Sequence, residues 1–301
     1  MNNKISIIIP CYNSSNTIQK TIDCIKASIK FCEFKKEYEL IVVNDGSNDN
    51  INELLKKEKH ISIINHKKNR GLSSARNTGI KNSTGSLLIF IDSDIYISES
   101  WILEMLKNIN NDNIVGITGA LQPFPNKSLT LLEKYLFSKY RGDQTTNQNT
   151  SLNYKSFVFS NTIIKKDVLE KTGLFDETLK YYGGEDTELA IRINKLYPSQ
   201  MRKNHATSIH DAGKPLKEYL SNLFEYGQYN FLQIVKKHPD YKSDLGYKLV
   251  SSLLGRFILN NFNARIIRML LPILKHPLLV KFLVINSFIS GARLGVKNNI
   301  D

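Results

Sequence analysis

Leu87-Leu88-Ile89-Phe90-Ile91-Asp92-Ser93-Asp94 is five apolar residues running into two acids spaced one residue apart. A run this short and this apolar reads as a buried strand that empties into a cleft. Along an extended chain side chains alternate, which would put Asp92 and Asp94 on one side. Two carboxylates that close repel unless a cation lies between them. A hard divalent ion, Mg²⁺ or Mn²⁺, suits such a pair and keeps positions open for phosphate oxygens. An isolated Asp-x-Asp can equally be a helix cap or an exposed turn, so the surrounding chain has to decide.

Three similar runs precede it: Ile5–Ile9, Leu40–Val43 and Ile61–Ile64, all short and rich in Ile and Val. Near-continuous apolar strands are covered on both faces, as in a parallel sheet. Between the first two, Ile18, Ile22, Ile25 and Ile29 fall on one helical face, and Asn16 with Gln19 suggests a capped start. A second helix is expected over Ser73–Gly79. Strand-helix alternation implies right-handed crossovers and a mostly parallel α/β sheet flanked by helices. Further on, Trp101–Ile109 and Leu129–Tyr140 read as helices, and Ile114–Leu121, Phe157–Ile164 and Ala206–Ile209 as strands. A further helix should follow Glu185, and the polar stretch Gly142–Asn153 reads as a loop.

The 301 residues suffice for one large domain or two smaller ones, and 41% hydrophobic with 23% charged is an ordinary globular balance. The net charge of +13 asks for an anionic partner: nucleic acid, membrane or phosphorylated substrate. Cys11, Cys24 and Cys32 lack metal-type spacing and read as reduced thiols of a cytosolic protein. The N-terminal apolar run is too short for an exported leader or a membrane span.

From Gly213 onward the chain reads as a helical extension, giving an expected division into 1–212 and 213–301. Between Lys248 and Lys297 stand eight Lys or Arg and no acid, interleaved with Leu, Ile and Phe. Lys281 interrupts the run Leu278–Ile285 and Pro277 precedes it, which speaks against a full membrane span. A basic amphipathic surface on an anionic leaflet fits, as does a helical subdomain with a solvated basic face. Nucleic acid fits poorly, since no recognised binding motif occurs.

Ligands bind at the carboxyl ends of strands in an open parallel sheet. Those ends carry Pro10-Cys11-Tyr12-Asn13, Asn44-Asp45-Gly46-Ser47, Asn69-Arg70-Gly71 leading to Arg76, and Asp92 with Asp94. With Gly173-Leu-Phe-Asp-Glu177 and Gly183-Gly-Glu-Asp186, these blocks resemble, in order and spacing, the inverting nucleotide-sugar glycosyltransferases of family 2, which have the GT-A fold. The resemblance covers about residues 4–212. It implies that Pro10, Tyr12, Asn13 and Asp45 border the nucleobase, with Asp45 accepting from a uracil ring if the donor is a UDP-sugar. It places Arg76 by the base or diphosphate, Asp92 by the ribose and a metal-bound water, and Asp94 and His210 on Mn²⁺ or Mg²⁺. Inverting transfer needs a base for the acceptor hydroxyl. Asp186 is the candidate, with Glu185 raising the proton affinity of the pair. The same acids also suit a helix N-terminus.

The chain lacks the Gln-x-x-Arg-Trp block of processive members, and its one tryptophan is Trp101. That implies transfer of one or a few sugars per encounter, and the basic, apolar tail suits a lipid-linked or surface-glycan acceptor on the cytoplasmic membrane face. Lys214–Leu232 would belong to the acceptor side. A nucleotidyltransferase would show a Gly-rich loop, and Ile9–Thr17 has no glycine. A non-catalytic sugar-nucleotide-binding protein would have lost acids that are present here. A dehydrogenase would need G-x-G-x-x-G after the first strand.

Overall fold

A computed structural model describes residues 4–32, 37–56, 58, 60–141, 151–210 and 213–298. The chain divides into two compact units, one of residues 1–125, 143–177 and 185–211, the other of 126–142, 178–184 and 212–301.

The first unit is built on eight strands among the described residues, ordered β3-β2-β1-β4-β7-β6-β8-β5. These are β1 Ile5–Cys11, β2 Tyr38–Asn44, β3 Ile61–Asn65, β4 Leu87–Ile91, β5 Ile95–Ile97, β6 Gly116–Gln122, β7 Asn161–Lys165 and β8 Met201–His210. β3, β2, β1 and β4 run parallel, β7 opposes β4 and β6, β8 parallels β6, and β5 opposes β8. The sheet is therefore mostly parallel, as the Ile/Val-rich runs imply. Ile5, Ile7, Ile9, Val42, Ile89 and Ile91 bury completely or nearly so against Ile18, Ile22 and Ile25 of α1 (Ile18–Phe31) and Trp101 and Met105 of α4 (Trp101–Ile109).

Several local expectations change. α1 begins at Ile18 with no side-chain cap; Gln19 instead donates to Asp23 and Glu58, so the Asn16–Gln19 signal does not form a capping box. The strand expected over Phe157–Ile164 starts only at Asn161. Phe157 and Phe159 are drawn into an edge-to-face cluster with Phe90 and Phe175. Such ring packing adds about 0.5–1.5 kcal/mol per pair beyond area burial. The helix expected over Leu129–Tyr140 is α5 (Leu131–Leu136), set by a capping box of Thr130 and Glu133, followed by a separate 3-10 turn at Lys139–Arg141. Of the loop Gly142–Asn153, residues 142–150 lie outside the described residues.

The second unit is helical: α5, α8 (Leu216–Gln228), α9 (Asn230–Lys237), α10 (Tyr247–Ser251), α11 (Leu253–Ile258), α12 (Asn261–Leu274) and α13 (Pro277–Asn298). α13 is long and apolar enough to cross a membrane by length and composition alone. Here it is the axis of the unit, burying Val280, Leu283, Ile289 and Ala292. Gly227 and Gly291 let α8 and α13 touch backbone to backbone. A Cβ on Gly291 would meet the Phe224 carbonyl, and one on Gly227 the Phe288 carbonyl. Ala raises helix propensity by about 1 kcal/mol over Gly, but overpacking costs about 1–3 kcal/mol and no rotamer relieves a backbone clash. Gly291→Ala is expected to lower the urea midpoint of the full chain; an unchanged or higher midpoint would refute the close contact.

Candidate active site

The site forms where β1, β2, β3 and β4 end. Asn13, at φ +50°, donates its N–H to Ser47 Oγ (2.9 Å) and accepts from Asn48 N–H (2.9 Å), tying the β1 loop to the β2 loop. Tyr12 is exposed on that rim. Pro10 is not: it lies buried inside β1 opposite Val43.

Asp45 is buried and closes the next loop. Its Oδ1 takes His66 Nδ1 (2.6 Å) and the Arg70 N–H (2.9 Å), and its Oδ2 takes the Gly71 N–H (2.8 Å). His66 Nε2 in turn meets Thr78 Oγ1 at 2.9 Å on α3 (Leu72–Lys81). Gly71, at φ +91°, starts α3 in a conformation that favours glycine. Asp45 thus holds the β3–α3 connection through three donors before any base is considered. His66 was not among the sequence candidates, although it is the first residue past β3 and the strand-end rule reaches it.

Arg76, on α3, is the centre of the acidic cluster and only 1% exposed. Nη1 donates to Asp186 Oδ1 (2.7 Å) and lies 3.8 Å from Glu185 Oε1, while Nη2 donates to Asp92 Oδ1 (3.1 Å). The guanidinium also sits 5.2 Å over the Phe175 ring. In the structure Arg76 is thus directed at three carboxylates, Asp186, Asp92 and Glu185. Burial works against its charge, and Asp186, Asp92 and Glu185 outweigh that, so its pKa rises and it stays charged. A buried cation needs such partners. α3 is fixed to the following block by Asn77, which donates to the Phe175 carbonyl (2.9 Å) and to Glu177 (2.9 Å). The Gly173–Glu177 motif is therefore a dock for the helix that carries Arg76.

Glu185 and Asp186 open α7 (Glu185–Leu196), directly after Gly183 and Gly184, at φ +80° and +95°. Asp186 is fixed at both oxygens, Oδ1 by Arg76 and Oδ2 by the Phe159 N–H (3.1 Å). Burial, then Asp186 beside it, push the Glu185 carboxyl up, against the pull of Arg76. Burial likewise raises Asp92 to about 6, opposed by Arg76 and assisted by Asp94 and Asp186. Interacting acids titrate together, so the rises at Glu185 and Asp92 are coupled. A carboxyl whose folded pKa is raised above its unfolded 4.5 destabilises the native state as pH climbs from about 4.5 towards neutrality. Glu185→Gln is expected to match wild type below pH 4 and to be the more stable of the two at pH 8. Denaturant titrations at the two pH values check this; wild type holding the advantage at pH 8 would overturn it.

Asp92-Ser93-Asp94 is a turn, not an extended continuation of β4: Ile95 N–H donates to the Asp92 carbonyl (3.0 Å). The two acids consequently part, Asp92 to Arg76 and Asp94 to His210. Ile95 pairs with His210 in the β5–β8 ladder, which brings His210 Nε2 to 3.5 Å from Asp94 Oδ2. Asp94 is 41% exposed at its side chain and open on one side. Among the described residues no three His, Cys, Asp or Glu gather tightly enough to hold a metal alone. One oxygen donor and one imidazole beside open space fit a divalent ion that completes its shell with phosphate and water.

The site so built can be set against known proteins. The family model for glycosyl transferase family 2 matches residues 6–173, and the chain belongs to that family. It is 32% identical over 193 residues to an uncharacterized glycosyltransferase of Rickettsia felis, covering 63% of this chain and 30% of that protein. The chain thus spans less than a third of the length of that relative. Among solved structures, the mannosyltransferase PcManGT from Pyrobaculum calidifontis in complex with GDP-Man and Mn²⁺ gives a TM-score of 0.64 at 14% identity, covering 98% of this chain and 86% of that one. S. aureus TarS 1-349 in complex with UDP-GlcNAc gives 0.54 at 17%, covering 99% and 92%. These likenesses establish the GT-A fold.

Proposed function

We propose that the chain is a glycosyltransferase moving a sugar from a nucleotide-sugar, a UDP-sugar in the first instance, to a hydroxyl of a lipid-linked or surface-glycan acceptor. The observation that carries this is the pairing, on one sheet edge, of an Arg76-centred carboxylate cluster with the Asp94–His210 donor pair. Asp186, held by Arg76 and the Phe159 N–H, is oriented to take the acceptor proton, with Glu185 beside it as the second carboxyl of the pair. The acceptor oxygen bonds to C1 as the bond to the nucleoside diphosphate breaks, inverting the anomeric centre. Asp94 and His210, with Asp92 through water, would hold Mn²⁺ or Mg²⁺, which when bound neutralises the leaving diphosphate. Tyr12 and Asn13 would border the base. Asp45 acts by holding the loop around it, and one of its lone pairs could still accept from the base. The relatives' names and the complexes with GDP-Man, UDP-GlcNAc and Mn²⁺ support this reading.

The enzyme is non-processive in this proposal and sits peripherally on the inner membrane face. α12 supports that placement. Ala264 and Leu271 bury one side of it, while Phe262, Ile266, Met269 and Ile273 repeat along the outward side, each 41–76% exposed. An apolar stripe flanked by Arg265 and Arg268 suits an anionic leaflet. The test is release of nucleoside diphosphate from UDP-glucose, UDP-GlcNAc and GDP-mannose, with membrane extract as acceptor and Mn²⁺ present, and the product anomer read by NMR. Turnover of one donor class with an inverted product supports the proposal. No release from any donor, or a retained anomer, contradicts it.

A further inference from the structure

The second unit contains an apolar cleft of about 590 Å³ between α8, α12 and α13. Leu216, Leu220, Phe224, Leu271 and Leu283 wall it, and Lys217 and Arg268 stand along it. Among the described residues neither cation has an ion pair or a side-chain hydrogen bond. The adjacent Glu218 lies 3.8 Å from Lys214 instead. The volume is that of a small-molecule site. The walls demand a hydrocarbon ligand, since burying apolar surface yields roughly 25 cal/mol per Å², and the cations demand an anion on it. Arg268 lies on α12 between the cleft-side Leu271 and the exposed stripe Phe262–Ile273. The helix that walls the cleft is thus also the one with an outward apolar stripe.

We infer that this cleft binds the lipid-phosphate end of the acceptor, its hydrocarbon chain along Leu220, Phe224 and Leu283 and its phosphate at Lys217 and Arg268. The inference rests on the lipid-linked acceptor proposed above. Two unpartnered cations match the roughly two negative charges of a lipid diphosphate that carries a glycan better than the single charge of a phospholipid diester, which is why the phosphate end of a lipid-linked acceptor, and not bulk leaflet lipid, is the occupant. A second copy docking through this same face is a poor occupant: it would bring Lys217 and Arg268 against their own counterparts.

Full-length protein titrated calorimetrically with farnesyl phosphate, farnesol and dihexanoyl phosphatidylglycerol tests this. Farnesyl phosphate should bind about tenfold or more tightly than farnesol, the size expected of charge-assisted contacts. The double variant Lys217→Gln/Arg268→Gln should remove that preference and leave farnesol unchanged. Ser221→Trp, at an exposed position lining the cleft, should weaken both prenyl ligands. Equal binding of alcohol and phosphate, no effect of Ser221→Trp, or phosphatidylglycerol matching farnesyl phosphate would each overturn the assignment. UDP binding measured on the same samples with Mn²⁺ reports the nucleotide site separately, so failure of that reading is told apart from failure of this one.

Discussion

Asp186→Asn is expected to lower turnover by about 10²–10⁴-fold, the usual contribution of a positioned base, while nucleotide binding stays within a few-fold of wild type. The substitution keeps an oxygen for Arg76 and changes little volume, giving up only the bond from the Phe159 N–H, so the loss should fall mainly on kcat. Glu185→Gln keeps the Asp186 carboxyl beside Arg76 and should lose less. It should also shift the acid limb of the pH profile, because the raised proton affinity of the cluster depends on that neighbour. Steady-state kinetics of both variants with one donor decide the assignment. If Glu185→Gln is the more damaging, the base is Glu185 and Asp186 is the group that positions Arg76.

Asp94→Ala is the second large effect. The side chain is half open, and its one close contact described here is His210 at 3.5 Å. Removing it should leave folding stability within about 0.5 kcal/mol of wild type, as for most exposed sites, yet abolish the response of transfer to Mn²⁺. Asp92→Ala is the contrasting variant. It strips Arg76, 1% exposed, of one bonded partner while Asp186 remains, and leaving a buried donor without its acceptor costs about 1–3 kcal/mol. One acid should therefore report on metal and the other on stability. A Mn²⁺ titration of activity with parallel melting curves separates them; equal destabilisation by both would contradict the division of labour.

The sheet was legible because its strands are coded locally. Ile5–Ile9 and Leu87–Ile91 are apolar on both faces, and few other structures accommodate that. The family was legible because six ordered blocks recur, four of them following strands of the parallel sheet. Less legible was which partner each polar group takes. Asp92 and Asp94 look equivalent in sequence, and a turn closed by the Ile95 N–H sends them to different neighbours. Arg76 looks like a phosphate ligand, but α3 points it inward, where Asp186, 110 residues later, meets it. Such pairings are set by tertiary packing, which leaves no periodic trace. α13 shows the same limit in the second unit. Its composition suits a bilayer or a core alike, and Gly227 and Gly291 seat it against α8.

The central claim is that the rim binds a nucleoside diphosphate with a divalent ion. Thermal unfolding of the full-length protein with UDP, GDP, CDP and dTDP, each with and without Mn²⁺, tests it most directly. A ligand at 100 times its dissociation constant adds about 2.7 kcal/mol, a visible shift. The account predicts Mn²⁺-dependent stabilisation by one nucleotide, UDP foremost, and none in Asp94→Ala. No stabilisation by any of the four at saturating concentration, or stabilisation indifferent to both Mn²⁺ and Asp94, would contradict it.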